Sequence, residues 1–206
     1  MKRTLRTALA AAAVAAGSVS AWAANVSFTG NLAGDNDVQT FSFTLATTAD
    51  VTLRTWSYAG GINAAGDTIA AGGFDPIVSL FLGNGIGAIL LTSNDDDPSV
   101  ATDPATGSAL DALLAVTGLP SGTYTVALSQ FANFAIGPTL GDGFLGAGNT
   151  GFDGRSAAWA LDILGVDAAV SVPEPSSLAL ALLALAAAAA GAAAGRPAGR
   201  RRTGLG

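Results

Sequence analysis

Residues 38–45 read VQTFSFTL, with Phe41, Phe43 and Leu45 on one side of the chain and Ser42 and Thr44 on the other. An apolar residue at every second position is the period of a half-buried β-strand. Residues 51–56, VTLRTW, repeat the pattern after a turn predicted at Thr48-Ala49-Asp50, and place Trp56 on the face opposite Leu53. Further apolar runs of strand length lie at 77–82, 88–92, 113–116, 123–129 and 158–164. Gly83-Asn84-Gly85 has the residues of a hairpin turn, and Ser121-Gly122 leads into the next strand. Short strands broken by Gly and Asp, with no helical period between them, predict an all-β fold over residues 24–172, a jelly-roll-like β-sandwich.

Both ends of the chain depart from this pattern. From 178 to 194 there are only Leu, Ala and Gly191, and the run is followed by Arg196, Arg200, Arg201 and Arg202. That length is at the short edge of a spanning helix, which needs roughly 17 to 25 residues. Basic residues beside such a run stay on the cytoplasmic side, which places everything before it outside. A buried Ala-rich helix of a globular domain also fits the run, but it gives the arginines no role. At the other end Lys2, Arg3 and Arg6 precede an apolar stretch at 7–17, and Ala21 and Ala23 flank a cleavage point after residue 23. Residues 1–23 read as a secretory signal peptide.

Pro173-Glu174-Pro175, the apolar run and the terminal arginines together resemble the PEP-CTERM sorting domain of Gram-negative bacteria. The resemblance implies that residues 173–206 form a sorting signal with a transmembrane helix. It implies processing by an exosortase, a membrane cysteine transpeptidase, near Pro173 to Pro175. The chain would pass through an inner-membrane intermediate and end at the cell surface or in an exopolysaccharide, biofilm-type matrix. Glu174 is then a recognition residue of the substrate and performs no catalysis. The two prolines suit that role, because they fix the backbone and deny it a helix at the membrane boundary.

Between these ends lie fourteen aspartates against two arginines, Arg54 and Arg155, a formal charge of −12 that the whole-chain value of −6 conceals. So acidic a domain repels phosphate backbones and anionic lipid, which argues against nucleic acid as a partner. Divalent cations and cation-bridged polysaccharides fit it better. The chain has no cysteine, so no disulfide can staple the exported domain. Residues 24–172 also lack His, Lys and Glu, which excludes Ser-His-Asp and Cys-His machinery, His zinc sites and lysine Schiff bases. The Gly-rich stretch 137–154 has no lysine to complete a phosphate cradle and reads as a surface loop.

The aspartates carry the remaining chemistry. Calcium takes six to eight oxygen ligands from carboxylates, amide oxygens, backbone carbonyls and water. Asp35, Asn36 and Asp37 on one loop, with Asn94, Asp95, Asp96, Asp97 and Asp111 on others, supply such a set if the fold brings them together. The competing reading is a group of turn aspartates bonded to nearby backbone. Asp75, before Pro76, reads as a turn residue that starts a strand.

Residues 34–43, GDNDVQTFSF, the turn Asn94-Asp95-Asp96-Asp97, Asp111 and residues 119–126, LPSGTYTV, are similar to the corresponding segments of bacterial pre-peptidase C-terminal domains. Gly72-Gly73-Phe74-Asp75-Pro76 resembles a version of that domain carried by PEP-tailed exported proteins. The resemblance implies a jelly-roll accessory or binding module. In some members calcium sits between the N-terminal acidic segment and the Asn-Asp-Asp turn. The expected function is therefore that of an exported, non-enzymatic surface or matrix protein with calcium as its candidate cofactor. One alternative is a carbohydrate-binding module that stacks sugars on Trp56, Tyr58, Phe131, Phe134 or Trp159. A weaker one is an aspartate-dependent hydrolase, whose two carboxyls would stand about 5 to 9.5 Å apart.

Overall fold

Phe41, Phe43 and Leu45 do face inward together, and Val51 and Leu53 of the next strand meet them from the opposite layer. In the computed structural model, which describes residues 24–172, alternation of this kind builds two stacked antiparallel sheets, a β-sandwich. The strands are β1 (Ala24–Asn31), β2 (Gln39–Leu45), β3 (Ala49–Thr55), β4 (Gly61–Ile62), β5 (Thr68–Ile69), β6 (Pro76–Leu82), β7 (Ile89–Asn94), β8 (Leu113–Leu119), β9 (Gly122–Gln130), β10 (Ala158–Val166) and β11 (Ala168–Val172). One layer has the order β1-β10-β3-β8, the other β11-β2-β9-β6-β7, and β4 and β5 form a small separate hairpin.

The seven strand segments expected from the alternation are all present. The turn before β3 is shorter than Thr48-Ala49-Asp50, because Ala49 and Asp50 already belong to the strand and Ala49 pairs with Leu119. Four strands were not anticipated: β1, β11 and the two-residue β4 and β5. The β4–β5 excursion occupies the stretch between β3 and β6 and is tied down through Asp162 of β10. That carboxylate accepts from Trp56 Nε1 at 2.7 Å, Ala64 N at 3.0 Å and Ser27 Oγ at 2.5 Å.

The main core lies between the sheets and includes Phe41, Phe43, Leu53, Leu80, Val126 and Leu161. A second, smaller core lies on the outer face of the five-stranded sheet, where Phe81, Ala88 and Ala127 are covered by Ala135, Leu140 and Phe144. The Gly-rich stretch is thus anchored to the sandwich. Phe144 packs in this second core, and Phe152 tilts against buried Phe74 with centroids 5.6 Å apart.

Tyr124 fastens the crossing from β8 to β9. Its ring stacks on Phe43 at 5.1 Å, and its hydroxyl donates to the Pro120 carbonyl at 2.7 Å, a tyrosine corner. Tyr124→Phe is expected to cost about 1 kcal/mol, the net value of one hydrogen bond, with the ring packing intact. Urea unfolding should show a lower midpoint and an unchanged slope; an unchanged midpoint would mean that the bond contributes nothing net.

Among the described residues no helix is long and apolar enough to cross a membrane. The expected signal peptide with Ala21 and Ala23, and the sorting segment with Pro173, Glu174, Pro175, Arg196, Arg200, Arg201 and Arg202, lie outside the described residues.

Candidate metal centre

The hairpin of β6 and β7 assembles the site. Its antiparallel register pairs Val78 with Asn94, so the residue before β6 meets the residues after β7 at one end of the sheet. There Asp75, Asp95 and Asp96 each turn a carboxylate oxygen inward, all within 4.8 Å of one another. Oδ1 of Asp75 and Oδ1 of Asp95 are buried and have no hydrogen-bond partner among the described residues. A buried carboxylate oxygen without a donor is costly, because its water has been removed and nothing replaces it.

The electrostatics reflect this. Burial, then repulsion from Asp95, Asp96 and Asp111, pushes Asp75 up to about 8, and Arg155 offsets only part of it. Burial and the neighbouring Asp96 raise Asp95 to about 6. Asp96, the most exposed of the three, is also raised by burial. Three carboxylates that resist ionising together are an arrangement that a divalent cation would relieve.

Of the eight ligands expected from the sequence, Asp95 and Asp96 stand in this cluster. The others bond to backbone. Asp111 is buried and accepts from Thr55 Oγ1 at 2.9 Å, Ser57 N at 2.7 Å, Tyr58 N at 3.1 Å and Ala59 N at 2.8 Å. Both of its oxygens brace the segment after β3, and it is not part of the triad. Asp35 accepts from Gly151 N at 3.0 Å and Phe152 N at 3.2 Å, Asn36 from Gly148 N at 2.9 Å and Asp37 from Gly34 N at 2.8 Å. This segment holds the Gly-rich loop in place and is not part of the triad. Asn94 accepts from Leu113 N at 2.8 Å. Asp97 accepts from the Ser99 hydroxyl and backbone N–H, which hold its carboxyl below the usual range.

Asp75, which reads as a turn residue from its place before Pro76, is the third member of the triad. It stands twenty positions before Asp95, and no local motif links the two. The signal was nonetheless present: pairing 77–82 with 88–92 across the Gly83-Asn84-Gly85 turn carries Asp75 to the end of the hairpin where residues 95–97 follow β7.

The nearby cation does not neutralise the triad. Arg155 pairs with Asp103 at 2.9 Å, donates to the Gly73 carbonyl at 2.5 Å and the Tyr58 carbonyl at 2.8 Å, and stacks on the Tyr58 ring at 3.6 Å. Gly73 must be glycine here, because a Cβ would strike the carbonyl oxygens of Ser57 and Ala158.

The expected sugar-stacking aromatics are mostly engaged. Arg54 covers one face of Trp56 at 3.7 Å, Trp159 is buried against Phe41, and Tyr58 lies under Arg155. Phe131 keeps 37% exposure in a T-shaped pair with Phe134. No family model matches the chain, and no curated protein matches it.

Proposed function

We propose that the chain is an exported, non-enzymatic surface or matrix protein whose jelly-roll-like sandwich is stabilised by calcium at Asp75, Asp95 and Asp96. The observation that carries the metal is the pair of buried, unpartnered carboxylate oxygens in a triad whose own pKa values are raised. A cation supplies the missing partner for both oxygens and relieves the mutual repulsion. Export and sorting rest on the basic-apolar N-terminus and on the Pro-Glu-Pro, apolar and arginine succession at the C-terminus. Processing by an exosortase, transient residence in the inner membrane and association with exopolysaccharide are what the resemblance of that succession to the PEP-CTERM sorting domain implies. The acidic domain, −12 by its aspartates and arginines, suits polymer contacts bridged by divalent ions.

Thermal unfolding in calcium and in chelator tests this. At 100 times the dissociation constant, calcium stabilises by about 2.7 kcal/mol. For a domain of this size that raises the midpoint by about 5 to 10 °C. An unchanged midpoint at millimolar calcium removes the metal from the proposal and leaves the sorting reading alone.

A second reading draws on the same carboxylates. A carboxyl raised to about 8 holds its proton at neutral pH, as the general acid of a hydrolase must. It requires turnover that a chelator leaves intact and Asp75→Asn abolishes.

A further inference from the structure

The outer face of the five-stranded sheet is only half covered. Leu140 and Phe144 lie over one part of it, and beside them a cleft of about 800 Å³ opens onto β2 and β9. That size falls within the range of small-molecule sites. Its lining is mainly apolar, Val38, Ile86, Leu140, Phe144 and Val172, with three hydroxyls set among them. Ser42 of β2 pairs directly with Thr125 of β9, which puts their Cβ atoms about 5 Å apart, and Thr40 stands two residues along on the same face. Phe144, and Ile86 and Asn84 of the β6–β7 turn, stand beside these hydroxyls in the lining.

Two features define what would fit. No ionisable side chain lines the cleft, although the domain around it carries fourteen aspartates. In addition, polar capacity is left over. Thr125 donates to the Gly83 carbonyl at 2.9 Å and keeps its acceptor lone pairs, while the Ser42 hydroxyl and the Asn84 amide make no hydrogen bond among the described residues. An acyl chain would leave these groups without partners, and an anionic glycan would meet the field of the aspartates with no cation to hold it. A pyranose offers an apolar C–H face for Phe144 and Ile86, and hydroxyls for Ser42, Thr125 and Asn84.

We infer that this cleft binds an uncharged saccharide unit. The inference rests on the reading of the protein as a matrix-associated module and names the ligand class for it. The cleft is separate from the metal centre: Asp75 precedes β6 and Asn84 lies beyond its other end, and the seven residues of β6 span ~23 Å.

Calorimetric titration of the full chain tests it, in a non-glycosidic detergent so that no sugar headgroup competes. The probes are uncharged oligosaccharides of gluco, manno and galacto type, with uronic-acid oligomers as the anionic counterpart. Saturable binding of an uncharged probe is expected, with uronates failing to bind. Ser42→Ala and Asn84→Ala should each weaken binding about fivefold, the value of one hydrogen bond. Asn84 is exposed and Ser42 half-buried with only a hydroxyl to lose, so neither change threatens the fold. Absence of binding at millimolar saccharide overturns the inference, as does binding that both variants leave unchanged or that uronates equal. The calcium response of the same sample separates the two proposals: saccharide binding absent with calcium stabilisation present refutes the cleft alone, and the reverse refutes the metal alone.

Discussion

Metal-free Asp75→Asn protein is expected to melt higher than the wild type at pH 8 and to have lost its response to calcium. The physical reason is the raised pKa of the native carboxyl. Its folded value, about 8, lies above the value of 3.8 it has when unperturbed, so between these limits the folded state binds more protons than the unfolded one. Stability then falls as pH rises across that window. The contribution is fully present below pH 3.8 and is lost as pH passes about 8; Asp95 adds a smaller loss that ends near 6. Asparagine keeps the shape and removes the charge, so the variant should show little of this fall. Calcium acts in the opposite direction. It needs ionised carboxylates, and its stabilisation of the wild type should grow as pH rises through 6 to 8. Differential scanning calorimetry from pH 5 to 8, with calcium and with chelator, reads both effects. A variant that still gains several degrees from calcium would exclude Asp75 as a ligand. A variant less stable than the wild type without metal at pH 8 would mean that the carboxylate has a donor in solution.

Asp111→Ala should be among the most damaging single changes in the domain. Four donors lose their acceptor, and three of them are backbone N–H groups at Ser57, Tyr58 and Ala59. Each buried donor left without a partner costs about 1 to 3 kcal/mol, and water entering the space recovers part of it, so a loss of about 4 kcal/mol is expected. The midpoint should then fall by about 8 to 16 °C. The fall should be equal with and without calcium, which separates a brace from a ligand. Asp111→Asn should cost less, because an amide oxygen can still serve the donors that gather on Oδ1. A loss below about 1 kcal/mol in the alanine variant would show that the segment after β3 is held by other contacts.

The strands were legible wherever one face was buried and the other wet, as in β2 and β3. Runs buried on both faces, as in β6, were legible from their apolar length, and strands that bury little were not. β11, Ala-Ala-Val-Ser-Val, is an edge strand with little buried area, and β4 and β5 are two residues each. β1 did carry an alternating Val26 and Phe28, but its Gly and Asn residues diluted the signal. The acidic triad divides in the same way. Asp95 and Asp96 could be read from a local turn, whereas Asp75 becomes a neighbour only through a hairpin register. Asp111 reads as a candidate ligand by its type and position, and the folded chain adds three backbone N–H groups that point at it. The saccharide cleft had no sequence signature, since its hydroxyls are the ordinary wet face of a strand until a loop walls them in.

The two arginines of the domain, each lying flat on an aromatic ring, have a colloidal consequence. Both are held at internal contacts, so the particle turns an almost purely anionic exterior to its neighbours. The range of the resulting repulsion is set by salt, about 30 Å at 0.01 M and about 10 Å at 0.1 M. Copies concentrated at one surface would keep their distance in dilute medium and draw together as ionic strength rises. Multivalent counterions would condense them more strongly than the same charge in monovalent salt.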